Sequence, residues 1–350
     1  MKKKAIRIII SIIVIVFLVD AATRLLMPKY VSDVVEGNLI GEYYQEENKD
    51  FDVVFFGDCE VYENFSPLKM WEEYGINSYI RGSAEQYIWQ SYYLLEETVS
   101  IHKPKVAVFN IQSLQFNHSQ SEPYNRMTLD PMRWSMSKVN SIFASMKENE
   151  NFIDYVFPIL RYHSRWSELK AEDLEYMYKT HTVSHNGYYM RIDVRPAENI
   201  PSPKKLADYS FGDKAWSYLD RMRELCDKEG IKLVLIKAPS LFPHWYDEWD
   251  AQVTSYAEKY GLDYINFLKC KDEVGLDYNT DTYDSGLHLN LSGAEKMAVY
   301  FGKYLKEKCD VPDRRDDSVL AGIWEQKEAA YNKEIDLQQE KYGILPKDDH

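Results

Sequence analysis

Val53-Val-Phe-Phe-Gly57-Asp58-Cys59-Glu60 is the stretch whose reading decides the fold. Four apolar residues in an unbroken run predict a strand buried on both faces, as in a parallel sheet. Gly57 ends it. Asp58, Cys59 and Glu60 then fall at the carboxyl edge of that sheet, where open α/β folds bind their ligands. Moving outward, Ser66-Pro67 opens a helix with an N-cap and a proline at the first position, and Gly75 closes it. Asn77–Ile80 reads as a second strand, Ala84–Ser100 as a helix and Val106–Asn110 as a third strand. The rhythm resumes after residue 212. Asp213–Glu229 is a helix with Trp216, Leu219, Met222 and Cys226 at helical spacing, and Ile231–Ile236 is a strand. Glu248–Tyr260 is a helix, Tyr264–Phe267 a strand and Ser292–Lys308 a helix, with Ser292 and Glu295 as a capping box. Strands alternating with helices imply an α/β fold with a parallel sheet covered on both faces.

Residues 117–212 interrupt this pattern. Trp134, Trp166, many tyrosines and His118, His163, His181 and His185 lie there. This stretch is expected to be a helical and irregular insertion near the site, a candidate lid. Beyond Pro312 the chain is charged, with a helix expected over Ser318–Lys341 that packs on the domain or binds a partner. At the other end, Lys2, Lys3, Lys4 and Arg7 precede an apolar run. From Ile8 to Leu26 that run covers about 28 Å as a helix, enough to span a bilayer. The basic cluster places the N-terminus in the cytoplasm and the body outside. A cleaved signal peptide is the rival reading, but Val19-Asp20-Ala21 is a poor cleavage site. The expected division is an anchor over 1–27, a polar tether over 28–50, the α/β domain over 51–310 and a helical tail over 311–350.

The chain has 350 residues, a length that fits two domains or one large α/β domain with additions. Its 42 basic and 56 acidic residues give a formal charge of −14, which argues against nucleic acid as a partner. Hydrophobic residues at 45% and charged residues at 28% exclude a mostly disordered chain. Cys59, Cys226, Cys270 and Cys309 are too few for a disulfide scaffold and show no zinc spacing. An outward-facing domain permits a Cys270–Cys309 bridge, though sequence cannot show that the two are close.

Two segments carry candidate chemistry. A cysteine where a strand turns into a helix can expose its sulfur, with backbone N–H groups nearby to hold an oxyanion. The plainer reading of Cys59 is a small apolar residue in the core. Asp284-Ser-Gly-Leu-His288 offers a general base with an orienting carboxylate, or else a surface-loop histidine. Asp277 and Asp281 raise a metal as an option, but their spacing is not that of an EF-hand. No cofactor is called for. Trp245, Tyr246 and Trp249 suit either a sugar-stacking wall or core packing. Arg161 and Arg165 suit either an anionic ligand or a salt-bridged face.

Together, these blocks resemble the SGNH/GDSL hydrolase family. Gly57-Asp58-Cys59 resembles its Gly-Asp-Ser block, with Cys59 in the serine position. Gly82 falls at its oxyanion glycine, and Gln112 in Asn110-Ile-Gln-Ser113 stands opposite its oxyanion asparagine, with Asn110 in reserve. His288 matches its catalytic histidine, and Ser292-Gly-Ala resembles the start of the helix that follows. The resemblance implies a flavodoxin-like three-layer α/β/α fold. It also implies that Asp284, or Asp281, orients His288, and that Asp58 and Glu60 belong to the site. With the N-terminal anchor, the chain looks most like membrane-anchored DltD-type and polysaccharide acyltransferase-like members. That likeness implies acyl transfer through a Cys59 thioester to a cell-envelope glycan or teichoic-type polymer, with a membrane-bound O-acyltransferase as partner. An esterase on the same polymers, and an inactive scaffold subunit, are the alternatives. Cysteine for serine, Gln112 for asparagine and the Asp-x-x-x-His spacing depart from the family pattern.

Overall fold

A computed structural model describes residues 2–27, 37–175, 177 and 182–344, so His181 lies outside the described residues. Helix α1 (Lys2–Leu26) is followed by α2 (Gly37–Glu42), which runs into a 3₁₀ turn at Tyr43–Gln45. Then come β1 (Val53–Gly57), α3 (Cys59–Tyr62), α4 (Pro67–Tyr74), β2 (Ser78–Gly82), α5 (Ile88–Ile101) and β3 (Val106–Asn110). The insertion carries α6 (Glu122–Leu129), α7 (Met136–Ser145), α8 (Phe152–Val156), α9 (Ile159–Tyr162) and α10 (Ala171–Glu175). The second half adds α11 (Asp213–Glu229), β4 (Lys232–Lys237), α12 (Asp247–Tyr260), β5 (Asp263–Asn266), α13 (Lys271–Val274), α14 (Leu291–Cys309) and α15 (Ser318–Tyr342).

The five strands are all parallel, in the order β2-β1-β3-β4-β5. This is the flavodoxin-like order, whose switch point lies between β1 and β3. Alternate side chains along a strand point to opposite faces, and here each face builds its own core. Val54, Phe56, Ala107, Phe109 and Leu235 face α5 and α11. Val53, Phe55, Val108, Val234 and Ile236 face α4, α14 and α15. β1, flanked by β2 and β3, is buried throughout, which is why it reads as an unbroken apolar run.

Several boundaries differ from the sequence reading. Ser66 caps α4 through a 3.2 Å bond from the Lys69 N–H, as expected, and Gly75 closes it in the left-handed region. The cap of α14 is Asn290, not Ser292: Asn290 accepts the Gly293 N–H at 3.3 Å, while the Ser292 hydroxyl bonds Asp281 at 2.9 Å. Helix α5 begins at Ile88, because residues 84–87 form a turn behind β2. The tether is shorter than expected. Leu39, Ile40, Tyr43 and Tyr44 are buried, so the chain from α2 onward belongs to the domain. What draws this segment in is Arg81, one residue before Gly82. Its buried guanidinium bonds Glu97 at 2.6 Å, Thr98 at 2.8 Å and the Tyr44 hydroxyl at 3.1 Å, and lies 4.1 Å from the Tyr43 ring centroid. A charge at such depth needs a counter-charge and hydrogen-bond acceptors; Glu97, Thr98 and Tyr44 serve both terminal nitrogens, while Nε is left without a partner.

The insertion does more than form helices. After residue 181 it runs extended along the outer edge of the sheet. The Asn186 carbonyl accepts the Ile80 N–H at 2.9 Å, and the Asn186 amide bonds the Ser78 carbonyl at 3.0 Å. This covers the open edge of β2. The chain then passes beside the loop preceding α14: Leu291 N–H bonds the Arg191 carbonyl, and Arg195 N–H bonds the Thr282 carbonyl. The tail helix α15 packs on the domain. Trp324 stacks on Trp71 with centroids 4.8 Å apart and planes at 5°, and its indole N–H reaches Asn77 at 3.2 Å.

Candidate active site

The site begins where β1 turns into α3. A Cβ on Gly57 would lie 2.5 Å from Val61 Cγ2 and 3.0 Å from Asn110 Cβ, so the turn closes this tightly only with glycine. Asp58 accepts the Glu60 N–H at 3.1 Å and so caps α3, whose first residue is Cys59. The sheet register pairs Gly57 with Gly82. A Cβ there would come within 2.9 Å of the Gly57 carbonyl and 3.3 Å of the Tyr62 ring. Gly82 therefore lies directly beside the turn that carries Cys59.

His288 arrives from the loop before α14. Asp284 holds it twice: Oδ2 is 2.7 Å from Nδ1, and Oδ1 accepts the His288 backbone N–H at 2.8 Å. The four-residue spacing works because the intervening chain turns back through Ser285 at φ 70° and Gly286 at φ 98°. Asp281 is not the orienting carboxylate; it is held by Lys296 at 2.7 Å and by Ser292. The Nε2 atom of His288 is buried. The Cys59 thiol and this ring act on each other through charge and a side-chain hydrogen-bond interaction.

A second carboxylate stands beside the first. Glu63 Oε2 lies 3.7 Å from His288 Nδ1 and accepts the Tyr283 hydroxyl. Burial works to lower the His288 pKa, but Glu63, then Cys59 and Asp284, outweigh it and hold the ring well above its usual range. Burial pushes the Cys59 thiol up to about 12; His288 draws it down, and Asp58 and Glu63 add to the rise. Glu63 and Asn64 were not found from sequence. Asn64 accepts the Leu289 N–H at 2.7 Å and donates to Ser240 at 3.3 Å, tying the Cys59 turn to the His288 loop. The available signal was their position, four and five residues beyond Cys59.

The comparisons with known proteins belong beside this geometry. No family model matches the sequence. No curated protein matches it either. Several solved structures resemble it, two of which follow. One is a Bacteroides fragilis NCTC 9343 protein described as an acylhydrolase, 13% identical, covering 78% of this chain and 98% of that one, with a TM-score of 0.38. The other is a GDSL-like lipase of Bacteroides thetaiotaomicron VPI-5482, 12% identical, covering 77% and 98%, with a TM-score of 0.33.

The remaining candidates separate clearly. Asn110 is a strut and has no donor to spare. Its amide nitrogen bonds Glu60 at 3.0 Å and lies 3.4 Å from Asp58, and its oxygen accepts the Ala238 N–H. Glu60 does not face a substrate. It lies beneath the turn in a buried ion pair with Lys237 at 2.8 Å, a pairing not foreseen from sequence. Gln112, on the 3₁₀ turn after β3, is buried with neither amide atom hydrogen-bonded. Trp245 and Trp249 pack in the core with Phe211, not as a stacking wall. Arg161 pairs with Glu122 at 3.0 Å, and Arg165 bonds the Leu26 carbonyl at 2.6 Å. All four cysteines are free, Cys270 and Cys309 included. A cleft of about 1710 Å³ runs beside α14 past Lys69, Glu295 and Ile335, and neither Cys59 nor His288 lines it.

Two buried carboxylates give the domain a pH signature. Burial raises Asp58 to about 7, and raises Glu42, which accepts the Val183 N–H, to about 7. A carboxyl raised on folding contributes stability below its unfolded pKa and loses it as pH rises through the folded value. From these groups, stability should fall between about pH 4 and pH 7. Urea midpoints across that range should drop for wild type and drop less steeply for Glu42→Gln, which leaves Asp58 in place. An equal drop in both proteins would refute the assignment for Glu42.

Proposed function

We propose that this chain is an acyl-transfer enzyme acting on esters through Cys59. The observation that supports it is the His288 ring held by Asp284 at 2.7 Å, with the Cys59 thiol interacting with the same ring. In the proposed reaction the Cys59 sulfur bonds the acyl carbon and the C–O bond to the leaving alcohol breaks. The thiol proton passes to Nε2 of the neutral imidazole and then to the departing oxygen. The acceptor hydroxyl next gives its proton to Nε2, attacks the thioester and frees Cys59. The backbone N–H groups of Cys59 and Gly82 and the unpartnered Gln112 amide are the proposed oxyanion donors. A thioester keeps its transfer potential, so a closed pocket favours an alcohol over water. With α1 long and apolar enough to span a membrane and its basic residues on the cytoplasmic side, the proposed acceptor is a cell-envelope glycan or teichoic-type polymer. A membrane-bound O-acyltransferase is the proposed acyl source.

The second reading, a non-catalytic scaffold, is favoured by the upward-shifted thiol in an enclosed site. An activated acetyl ester separates the two. Intact mass and peptide mapping should find one acetyl group on Cys59 in wild type and none in His288→Ala, with faster labelling as pH rises and His288 loses its proton. Acetylation of Cys226 or Cys309 as fast as Cys59, or no acetylation at any pH, would leave the scaffold reading standing.

A further inference from the structure

Large apolar side chains exposed to solvent are unevenly spread along this chain. Among the described residues, eleven belong to α1, eight lie between Trp134 and Leu174, and six are scattered over the rest. The second group includes Ile153, Phe157, Leu160, Trp166 and Leu174, with Trp166 at 72% exposure. Soluble surfaces seldom concentrate apolar side chains this way unless something covers them.

Their position indicates what does. Helices α8 and α9 and the 3₁₀ turn at His163–Ser167 are in contact one after another, and α9, that turn and α10 all touch α1. Lys3–Leu18 of α1 is bare, whereas Ala21–Thr23 and Leu25–Met27 are half-buried. Arg165 closes the contact through the Leu26 carbonyl. These short helices thus gather around the base of α1, at the level where a spanning helix leaves the hydrocarbon.

We propose that α8, α9, α10 and the His163–Ser167 turn form a collar that lies in the bilayer interface and holds the domain flat against the membrane. This rests on reading α1 as a membrane anchor. Phe157 and Leu160 enter the acyl boundary, and Trp166 takes the interfacial depth that tryptophan favours. Between residues 147 and 175 there are four Lys or Arg (Lys147, Arg161, Arg165, Lys170) and seven acidic residues, so anionic headgroups supply no attraction. Apolar insertion is the driving term, and zwitterionic lipid suffices. The consequence for the proposed enzyme is a fixed height above the membrane, which selects acceptors presented close to the lipid.

The test uses the full chain in phosphatidylcholine vesicles. Trp166 emission is taken as the difference between wild type and Trp166→Phe. Lipid brominated near the headgroup end of its acyl chains should cut that emission by roughly half, as for a face buried ~5–10 Å. Phe157→Ser with Leu160→Ser, at exposed positions that carry little fold stability, should abolish most of the quenching. Adding phosphatidylglycerol should change little. If the chain stays with the vesicles through an alkaline wash while Trp166 is not quenched, the collar is refuted and the anchor stands. Shielding of Trp166 that grows with protein-to-lipid ratio and ignores bromine would assign the face to a second copy and refute the collar. Release of the chain by the wash would overturn the anchor reading itself, and the collar with it.

Discussion

Asp284→Asn is expected to slow acyl transfer from Cys59 by on the order of 10⁴-fold, because an amide in place of the orienting carboxylate favours the wrong imidazole tautomer. In this chain Asp284 accepts both the ring and the backbone N–H of His288, so the substitution also loosens the loop. Glu63 gives the experiment a second arm. It faces the same Nδ1 from the end of α3, with Tyr283 on its other side. Removing its charge in Glu63→Gln leaves Asp284 to orient the ring and takes away the largest upward influence on its pKa. The acid limb of the pH–rate profile should then move to lower pH, and acetylation of Cys59 near neutrality should quicken. The groups facing the ring are Cys59, Glu63, Tyr283 and Asp284, with Arg191 behind Tyr283 at 4.3 Å. An unchanged pH profile in Glu63→Gln would remove Glu63 from the site.

Lys237→Met is expected to destabilise the domain by about 3–5 kcal/mol, the usual cost of removing one member of a buried ion pair. The ammonium is fully buried at the end of β4 and bonds Glu60 at 2.8 Å and the Ala238 carbonyl at 2.9 Å. Without it, Glu60 would keep only the Asn110 amide, because its other oxygen already lacks a partner. Pairing Lys237→Met with Glu60→Gln should recover much of the loss, since the stranded charge goes with it. Chemical denaturation of the two variants reads this directly. A single substitution that costs no more than the double would show that the charge is not what Lys237 balances.

Much of this architecture was legible from local pattern. VVFF at 53–56 and IKLVLI at 231–236 sit on buried central strands, and a strand buried on both faces has no alternation to blur its apolar run. Cys59, Asp284 and His288 stood out as candidates because strand ends and loops before helices lie at the carboxyl edge of the sheet, where such folds bind ligands. What escaped depends on long-range packing. Nothing local marks Glu63 as a partner of a residue 225 positions on, or Lys237 as a counter-charge for Glu60. Asn110 looked like a spare donor because its two carboxylate neighbours lie on another strand's turn. The aromatic cluster of Trp245 and Trp249 was ambiguous in principle, since core and sugar-binding faces use the same residues. The segment from Leu39 to Tyr44 read as polar tether because its burial is dictated by Arg81, nearly forty residues away.

The Trp71–Trp324 stack also sets an order of assembly. Helix α4 follows the Cys59 turn near the start of the domain, yet its Trp71 indole is covered by a helix that begins at Ser318. Tyr331 reinforces the closure, bonding Ser66 at 3.0 Å and Glu295 at 3.1 Å. A chain emerging N-terminus first therefore carries an unfinished flank until α15 is released. Truncation within that helix would leave Trp71 uncovered and Ser66 without its tyrosine. A product interrupted before α15 bears an open hydrophobic scar of the kind chaperones and proteases recognise.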